Sequence, residues 1–375
     1  MARTRDVAFI RKLCGLGVPA QALVPSLLPA LRGLIPSHSA GVFWVDERGE
    51  MSGLYAERML PPEAMDVYDK QHYQKARDGF APAFRARAAD KDPVSCRSFT
   101  RAEQETEYFQ DVMRPLDAYH VMYGILHNGT RPFAQISFYR GRSDRPFDRD
   151  NCETLRGLLR YVASGLAQAP SLRDSQDPSV MVEEHLGIVT AQGSILSAPE
   201  GWHRLLRLAA LSEVSPRQAL RENALVEDFL RRICAEAVDQ RGTTAPCSAD
   251  VDSAWGRFSV RAFRLPDAKG RRADQFGLLI RREEPQSLSL VRGTAISELS
   301  AQQREVALLL ARGMSNREIA EELGLSFNTA SYHVKQVFVR LDVNDRDEVA
   351  SKLLRLAQLA GAHRPKPGRG PPTAI

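Results

Sequence analysis

The chain has 375 residues, too many for one typical globular core, and its length predicts two or three domains. Hydrophobic residues make up 43% and charged residues 26%, values that exclude a collagen-like or wholly disordered chain. The 51 basic and 46 acidic residues leave a net charge of only +5, so charge by itself identifies no nucleic-acid or membrane partner.

The amino-terminal residues lack the features of an export signal. Charge returns at Arg11 and Lys12, so no apolar run of signal-peptide length forms. Nowhere do the roughly 18 consecutive apolar residues of a membrane-spanning helix occur. The sequence therefore predicts a cytoplasmic protein with no membrane partner.

The five cysteines lie far apart, at positions 14, 96, 152, 234 and 247. Their odd number and the lack of any CxxC spacing do not indicate a disulfide framework. We expect small buried thiols in a reducing compartment, with a redox sensor as the less favoured alternative.

Residues 1–170 predict a first α+β domain. After a helical stretch, the strands GVFWV and MSGLY flank the turn DERG. A second hairpin joins VMYGILH to FAQISFYR through Asn128 and Gly129, both expected at positive φ. Apolar residues then recur at helical spacing over 148–166 and predict a closing helix: Leu155, Leu158, Leu159 and Val162.

Residues 180–285 predict a second α+β domain. HLGIVT and SILS form a short hairpin, helices are expected at 198–210 and about 216–238, and WGRFSVRAFRL and FGLLIRR follow as strands. We expect 283–294 to be a linker. Residues 361–375 contain four prolines and three glycines, and we expect them to be a disordered basic tail.

Residues 294–360 predict an all-α domain whose helix starts carry capping residues. The segments Ser300–Gln303 and Ser315–Glu318 match the capping box, in which a serine hydroxyl and the side chain three residues later satisfy each other's backbone amides. Gly313 and Gly324 suit the residue after a helix, where positive φ is common. The side chains expected to face the core of these two helices are Val306, Leu309, Leu310, Ile319, Ala320 and Leu323.

A tight turn containing Gly324 then leads to a third helix, with Ser326 as a weaker start signal. Two helices joined in this way form a helix-turn-helix, whose second helix can enter the major groove of DNA. One apolar stripe is expected to anchor the third helix: Ala330, Val334, Val337 and Leu341. The polar side chains expected on its other side are Asn328, Ser331, Tyr332, Lys335 and Gln336.

The third helix is compatible with DNA although the domain is not basic overall. The run Ser326–Arg340 contains no acidic residue that would repel phosphate. Residues 294–360 as a whole hold eight basic and nine acidic residues.

The segment Leu299–Leu354 closely resembles the LuxR-type DNA-binding domain. The resemblance rests on Leu299-Ser300, Arg304-Glu305-Val306, Gly313, Ser315-Asn316, Glu318-Ile319-Ala320, Thr329, His333-Val334-Lys335, Leu341, Val343 and Arg346. The usual Thr-Val-Lys of the family is Thr329-Ala330-Ser331 here, so a lysine often used on DNA is missing. The resemblance implies a four-helix domain in which the fourth helix commonly serves dimerisation, here through Val349, Leu353, Leu356 and Ala360.

The resemblance also implies which residues contact DNA. Ser331, Tyr332 and Lys335 are candidates for contact with base edges, and Asn316, Thr329 and Arg346 for positioning against phosphate. Asn328, His333 and Gln336 complete the predicted DNA-binding set. Packing against neighbouring helices is the alternative for Tyr332 and His333, and a turn or capping role is the alternative for Asn328.

The two front domains resemble known modules less specifically. Residues 1–170 resemble a GAF-type domain, and residues 180–285 resemble a PAS-type domain. The predicted fold class is thus multidomain, with two α+β sensory-type modules before an all-α LuxR-type helix-turn-helix domain. The resemblance implies modules that sense a signal or dimerise, with a small-molecule effector as a further partner whose binding residues the sequence does not identify.

Catalytic signatures are absent from the sequence. GxxxxGK[ST], GxSxG and HExxH do not occur, and the eight histidines never cluster at metal-ligand spacing. We therefore expect no enzyme activity, no metal and no cofactor. The predicted protein is a homodimeric regulator of transcription that binds double-stranded DNA, whose target sequence and direction of control stay open. Two alternatives remain: a regulator whose last domain binds another protein, and an enzyme fused to a DNA-binding domain.

Overall fold

A computed structural model describes residues 2–58, 60, 64, 67–167, 177–211, 222–239, 247–253, 256–266 and 272–362. The predicted tail lies outside the described residues from position 363 onward. The chain divides into two compact units. One contains Met1–Ser175 and Leu186–Leu278, and the other contains Gln176–His185 and Leu279–Ile375.

The first part of the chain forms a five-stranded sheet with helices. The strands are β1 (Ser39–Val45), β2 (Met51–Ala56), β3 (Val94–Ser98), β4 (His120–Asn128) and β5 (Arg131–Arg140), in the order β2-β1-β5-β4-β3. The helices are α1 (Ala2–Cys14), α2 (Ala20–Leu34), α3 (Tyr73–Ala88), α4 (Arg101–Gln104) and α5 (Arg149–Ala167), with π-helical turns at Tyr68–His72 and Phe109–Met113. The α+β architecture expected for this part is confirmed.

Both predicted hairpins of this sheet are present. In the first, Gly41 pairs with Ala56 and Phe43 with Leu54. In the second, Gly129 has a φ of 62°, as the turn requires. The expectation of positive φ at Asn128 is wrong, because Asn128 still pairs with Arg131 as the last residue of β4.

Helices α2 and α5 cover the first sheet, and α1 packs on both of these helices. The predicted closing helix is α5, and Leu155, Leu158, Leu159 and Val162 are buried as expected. Gly124 of β4 permits the close approach of α5, since a Cβ at this position would lie 2.9 Å from Leu159 Cδ2. Gly165 of α5 likewise permits the close approach of α1.

A second five-stranded sheet follows along the chain. Its strands are β6 (Ser179–Thr190), β7 (Ile195–Ser197), β8 (Cys247–Ser253), β9 (Gly256–Pro266) and β10 (Arg272–Pro285), in the order β7-β6-β10-β9-β8. Its helices are α6 (Glu200–Ala210) and α7 (Glu222–Asp239). Residues 216–221 of the predicted second helix lie outside the described residues. The buried Trp202 fixes α6, because its Nε1 donates a 2.9 Å hydrogen bond to the Leu278 carbonyl oxygen.

The remaining helices are α8 (Gln286–Ile296), α9 (Ala301–Ala311), α10 (Asn316–Leu323), α11 (Phe327–Leu341) and α12 (Arg346–Ala362). The prediction of a linker over 283–294 is wrong, because these residues end β10 and form most of α8. Ser289 Oγ donates a 2.5 Å hydrogen bond to Glu284 Oε1, and Arg292 pairs with the same carboxylate. Both Glu284 and Ser289 are buried, so this polar cluster belongs to a packed interior.

Helix α8 packs closely on α12. A Cβ at Gly293 would lie 2.1 Å from the Leu353 carbonyl oxygen, so only glycine fits at this position of α8. Among the residues described, no helix has the length and apolar character needed to cross a membrane. Within the same residues, no group of three or more metal-ligating side chains is placed to hold an ion.

Candidate nucleic-acid interface

Helices α10 and α11 form a helix-turn-helix whose local geometry follows from its capping residues. At the start of α10, Ser315 Oγ accepts a 3.3 Å hydrogen bond from the Glu318 amide, and Glu318 Oε2 accepts one of 2.7 Å from the Ser315 amide. Gly324 ends the helix with a φ of 61°, a conformation that glycine adopts without strain. The predicted capping box and C-terminal glycine are confirmed.

The neighbouring helices begin in a similar way. Ser300 and Gln303 form a complete capping box at α9, and Gly313 follows α9 with a φ of 81°. Ser326 Oγ accepts a 3.1 Å hydrogen bond from the Thr329 amide at the start of α11. Helix α11 therefore begins at a defined residue, which fixes the rotation of its side chains about the helix axis.

One stripe of α11 is buried against α9 and α10. Ala330, Val334, Val337 and Leu341 are each at most 5% exposed, as the sequence predicts. On the helices beneath, Val306, Leu309, Leu310, Ile319 and Ala320 are also buried. Leu323 is only half-buried, so its predicted inward position is partly met.

A second stripe of α11 is exposed. Asn328, Tyr332, Lys335 and Val339 follow one another at i, i+4, i+7 and i+11, and residues so spaced lie on one side of a helix. Tyr332 is 59% exposed and Val339 74% exposed. This exposed stripe offers an amide, a phenol, an ammonium group and an apolar side chain. It combines hydrogen-bonding and apolar groups of the kinds that contact base edges.

The charged side chains of α11 itself are all positive. No acidic residue occurs between Ser326 and Arg340, and the exposed Lys335 and Arg340 lie on α11 itself. Arg317, on α10, is also exposed. The surface formed by these cations can attract phosphate even though the domain as a whole is not basic.

Three residues of the predicted DNA-binding set contact one another. Arg346 Nη2 donates a 3.1 Å hydrogen bond to Asn316 Oδ1, and Asn316 Nδ2 donates one of 3.2 Å to Ser331 Oγ. Arg346 Nη1 also donates to the Met314 carbonyl oxygen. All three predicted residues are half-buried, and their polar atoms hold the domain together in this structure.

The other predicted residues differ in exposure. Thr329 is exposed and shares a 2.7 Å hydrogen bond with Ser326 Oγ, and Gln336 is half-buried. His333 is half-buried, with its ring edge-on to Tyr332 at a centroid distance of 5.6 Å. Its Nδ1 atom is enclosed without a hydrogen-bond partner among the described residues. These positions favour packing over base contact for His333.

One exposed aromatic residue was not predicted. Phe327 is 56% exposed at the start of α11, and it borders an open groove of about 440 Å³ together with Arg317, Ala320, Glu321, Gly324 and Leu325. The turn after Gly324 places Phe327, the first residue of α11, outside the core. The exposure of Val339 could have been predicted from helical spacing. Val339 is two residues away from members of the buried stripe and therefore lies on the opposite side of the helix.

The predicted dimerisation residues lie mostly inside the domain. Val349 and Leu353 are completely buried, and Leu356 is half-buried. The side chain of Ala360 lies outside the description. Helix α12 packs against α8 and α9, so Val349 and Leu353 offer no surface to a second copy in this arrangement. Among the described side chains of α12, Leu359 is apolar and 56% exposed.

The fold of 297–353 and the exposed stripe define a helix-turn-helix domain. These residues match the family model described as GerE, bacterial regulatory proteins of the luxR family. The carboxy-terminal domain is a LuxR-type helix-turn-helix domain, as the sequence predicts.

Curated relatives include transcriptional regulators. The putative HTH-type transcriptional regulator YhjB of Escherichia coli K12 is 40% identical over 58 residues, which cover 16% of this chain and 29% of YhjB. The transcriptional regulatory protein LiaR of Bacillus subtilis 168 is 25% identical over 135 residues, which cover 32% of this chain and 64% of LiaR. The chain therefore spans less than two thirds of the length of each of these relatives.

Among solved structures, the chain is similar to GAF3 from Slr1393 of Synechocystis sp. PCC6803 in its photoproduct state. The identity is 14% and the TM-score is 0.29, over 40% of this chain and 92% of that chain.

Proposed function

We propose that the chain is a DNA-binding regulator of transcription whose helix α11 enters the major groove. The observation that carries the proposal is the exposed stripe of Asn328, Tyr332, Lys335 and Val339, opposite the buried stripe that anchors α11. A recognition helix must be held rigidly on one side and present polar groups on the other. Helix α11 meets both requirements.

The proposed contacts follow from exposure. Lys335 is assigned to a base edge or phosphate, because it is an exposed cation near the middle of α11. Tyr332 and Asn328 are assigned to base edges, and Thr329 to phosphate at the start of the helix. Hydrogen bonds connect Asn316 with Ser331 and Arg346, and these contacts orient α11. Gln336 and His333 contribute little to the proposed interface.

We also propose that residues 1–170 and 180–285 are GAF-like and PAS-like modules that sense a small molecule or dimerise in a cytoplasmic homodimer. The order of elements in the second module supports this: a hairpin, two helices and three strands. Residues 294–360 form the DNA-binding domain and 361–375 a basic tail in this scheme. We assign the chain no enzyme activity in this scheme.

Selection of genomic DNA fragments by the purified full chain tests the proposal. The retained fragments are expected to share a roughly two-fold symmetric site, since most DNA-binding dimers contact two half-sites. Titration of the selected duplex at several salt concentrations should give a steep, linear fall of log affinity with log salt.

Two matched variants test the assignment of α11. Lys335→Ala removes a cation from the proposed interface, and its affinity is expected to fall about tenfold or more. Arg355→Ala removes an exposed cation from α12 of the same domain, and its affinity should stay within about twofold. Equal losses in both variants would point to a general charge effect. Failure to retain any duplex at low salt would overturn the proposal in favour of a protein partner.

A further inference from the structure

Two cysteine side chains from distant parts of the sequence meet beside the first sheet. Cys96 lies on the edge strand β3 and Cys152 in the first turn of α5, and their Sγ atoms are 3.3 Å apart. Cys14 and Cys234, the other cysteines whose side chains are described, are buried. We propose that Cys96 and Cys152 form a reversible disulfide when the protein meets a hydroperoxide.

The sulfur atoms are already near bonding distance. A disulfide bond is about 2.05 Å long, so the two atoms need to approach by only about 1.2 Å. The Cys96 thiol donates a long hydrogen bond of 3.6 Å to the Phe147 carbonyl oxygen, which holds it weakly. Cys152 Sγ also lies 3.9 Å from Met122 Sδ in the core. A small rotation of the Cys96 side chain can therefore close the bond.

The two thiols have different surroundings, which fixes the order of their reactions. Cys152 is buried, and burial together with the hydrogen bond to Cys96 raises the pKa of Cys152 to about 12. Cys152 thus stays a protonated thiol. Cys96 is only half-buried and belongs to the wall of a pocket of about 410 Å³. A small oxidant reaches Cys96 first, and Cys152 is the second thiol to react.

The pocket wall carries positive charge. Arg87 and Arg97 line it together with Ser95 and Tyr123. Arg97 is paired with Glu103 at 2.6 Å, whereas Arg87 contacts the neutral Gln135 amide at 3.0 Å and lies over the Tyr123 ring. The charge of Arg87 is therefore available to stabilise negative charge on the oxygen that leaves when a peroxide bond breaks.

The proposed reaction balances without a further reagent. The Cys96 sulfur attacks one oxygen of hydrogen peroxide, so that an S–O bond forms and the O–O bond breaks. The leaving hydroxide takes the thiol proton of Cys96 and departs as water. Cys96 loses two electrons to the peroxide and becomes a sulfenic acid. The Cys152 sulfur then attacks the Cys96 sulfur, the S–S bond forms, and the sulfenic oxygen leaves as a second water with the proton of Cys152. Two thiols and one peroxide thus give one disulfide and two waters.

Oxidation of the full chain tests this proposal directly. The reduced protein is treated with a few equivalents of hydrogen peroxide, the remaining thiols are alkylated, and the product is digested with trypsin without reductant. The expected product links the peptide Asp92–Arg97 to the peptide Asp150–Arg156, and dithiothreitol should separate them. The bridge should also raise the melting temperature, because it constrains the unfolded chain.

Variants separate the two thiols. In Cys152→Ala, treatment with peroxide and dimedone should label Cys96, because its sulfenic acid has no second thiol. In Cys96→Ala, labelling of Cys152 should fall at least tenfold below that level. Cys234→Ala serves as the control, since it removes a buried cysteine and should leave the bridge intact. Circular dichroism verifies that each variant is folded.

Two results would overturn the proposal, and neither depends on a variant. In the first, Cys96 and Cys152 of the wild-type chain both remain open to alkylation after peroxide treatment. In the second, peroxide drives Cys96 to sulfinic acid while Cys152 stays reduced. Neither result bears on DNA binding by α11, so the two proposals fail independently.

Discussion

Arg346 Nη2 donates a hydrogen bond of 3.1 Å to Asn316 Oδ1, and this contact joins the first turn of α12 to the first turn of α10. The Asn316 side chain extends the connection, because its Nδ2 donates to Ser331 Oγ on α11 at 3.2 Å. Three helices are thus linked by one chain of polar contacts. The resemblance assigned Asn316 and Arg346 to phosphate, whereas their geometry supports a role in holding α11 at a fixed orientation.

Replacement of Arg346 by alanine tests this role. The variant leaves the Met314 carbonyl and the Asn316 amide oxygen without their charged donor, and such bonds contribute about 1.5–3 kcal/mol each. We expect the free energy of unfolding to fall by about 2 kcal/mol, measured by urea denaturation. Arg355→Ala, on the exposed side of α12, is the control and should change it by less than about 0.5 kcal/mol. Equal stability of the two variants would contradict the proposed role.

The two stripes of α11 predict opposite consequences of substitution. Val337 is completely buried, and Val337→Ala should lower the free energy of unfolding by about 2 kcal/mol through lost burial and a cavity. Tyr332 is 59% exposed, and Tyr332→Ala should leave stability within about 0.5 kcal/mol while weakening binding to the selected duplex. Thermal denaturation and fluorescence anisotropy measure the two effects. Unchanged DNA affinity in the Tyr332 variant would remove this residue from the interface.

The sequence predicts well those features that depend on neighbours along the chain. Ser300, Ser315 and Ser326 marked the helix starts, because a capping hydroxyl bonds an amide only three residues away. The buried stripe of α11 followed from helical spacing for the same reason. Such local rules place the exposed stripe too, since it occupies the side that the apolar residues leave free.

Features that depend on distant residues were missed. The sequence predicts a linker over 283–294, because nothing local indicates α8. This helix packs against α12, more than fifty residues further along the chain. Strand β8 was not predicted, since its sequence CSADVDS is polar and its pairing with β9 supplies the missing stability. The Asn316–Arg346 contact and the Cys96–Cys152 contact likewise join residues that only the folded chain brings together.

Gly293 offers a test of the packing between α8 and α12. In Gly293→Ala the new methyl group would collide with the Leu353 carbonyl oxygen, so the two helices must separate. We expect a loss of stability of about 2 kcal/mol, within the range of about 1–3 kcal/mol that overpacking typically costs. Gly157→Ala is the matched control, because a Cβ there meets nothing within 4 Å and alanine favours the helix by up to about 1 kcal/mol.

The same pair of variants tests whether α12 can serve dimerisation. Separation of α8 would uncover Val349 and Leu353, which the resemblance assigns to a dimer interface. Analytical ultracentrifugation of Gly293→Ala should then show more dimer than the wild-type chain at the same concentration. If the variant loses stability but its dimer fraction does not rise, the dimer interface lies elsewhere in the chain.

The capping carboxylate of α10 makes the domain sensitive to acid. The pKa of Glu318 lies below its usual value of 4.5, because the carboxylate accepts hydrogen bonds from the backbone amide and side chain of Ser315, with a smaller effect of Arg346. A lowered pKa means that the charged form stabilises the fold above pH 4.5, and that this contribution is lost as the pH falls below 4.5.

Glu318→Gln isolates this contribution. A glutamine at the corresponding position of α9, Gln303, completes the capping box there, so the amide can keep the geometry while removing the charge. The wild-type chain should melt at a higher temperature than the variant at pH 6, and the difference should shrink as the pH falls through 4.5 toward 3. Glu321→Gln removes a carboxylate from the same helix without touching the cap and accounts for the general loss of charge. A difference between the wild type and Glu318→Gln that stays constant down to pH 3 would show that the capping carboxylate is not its source.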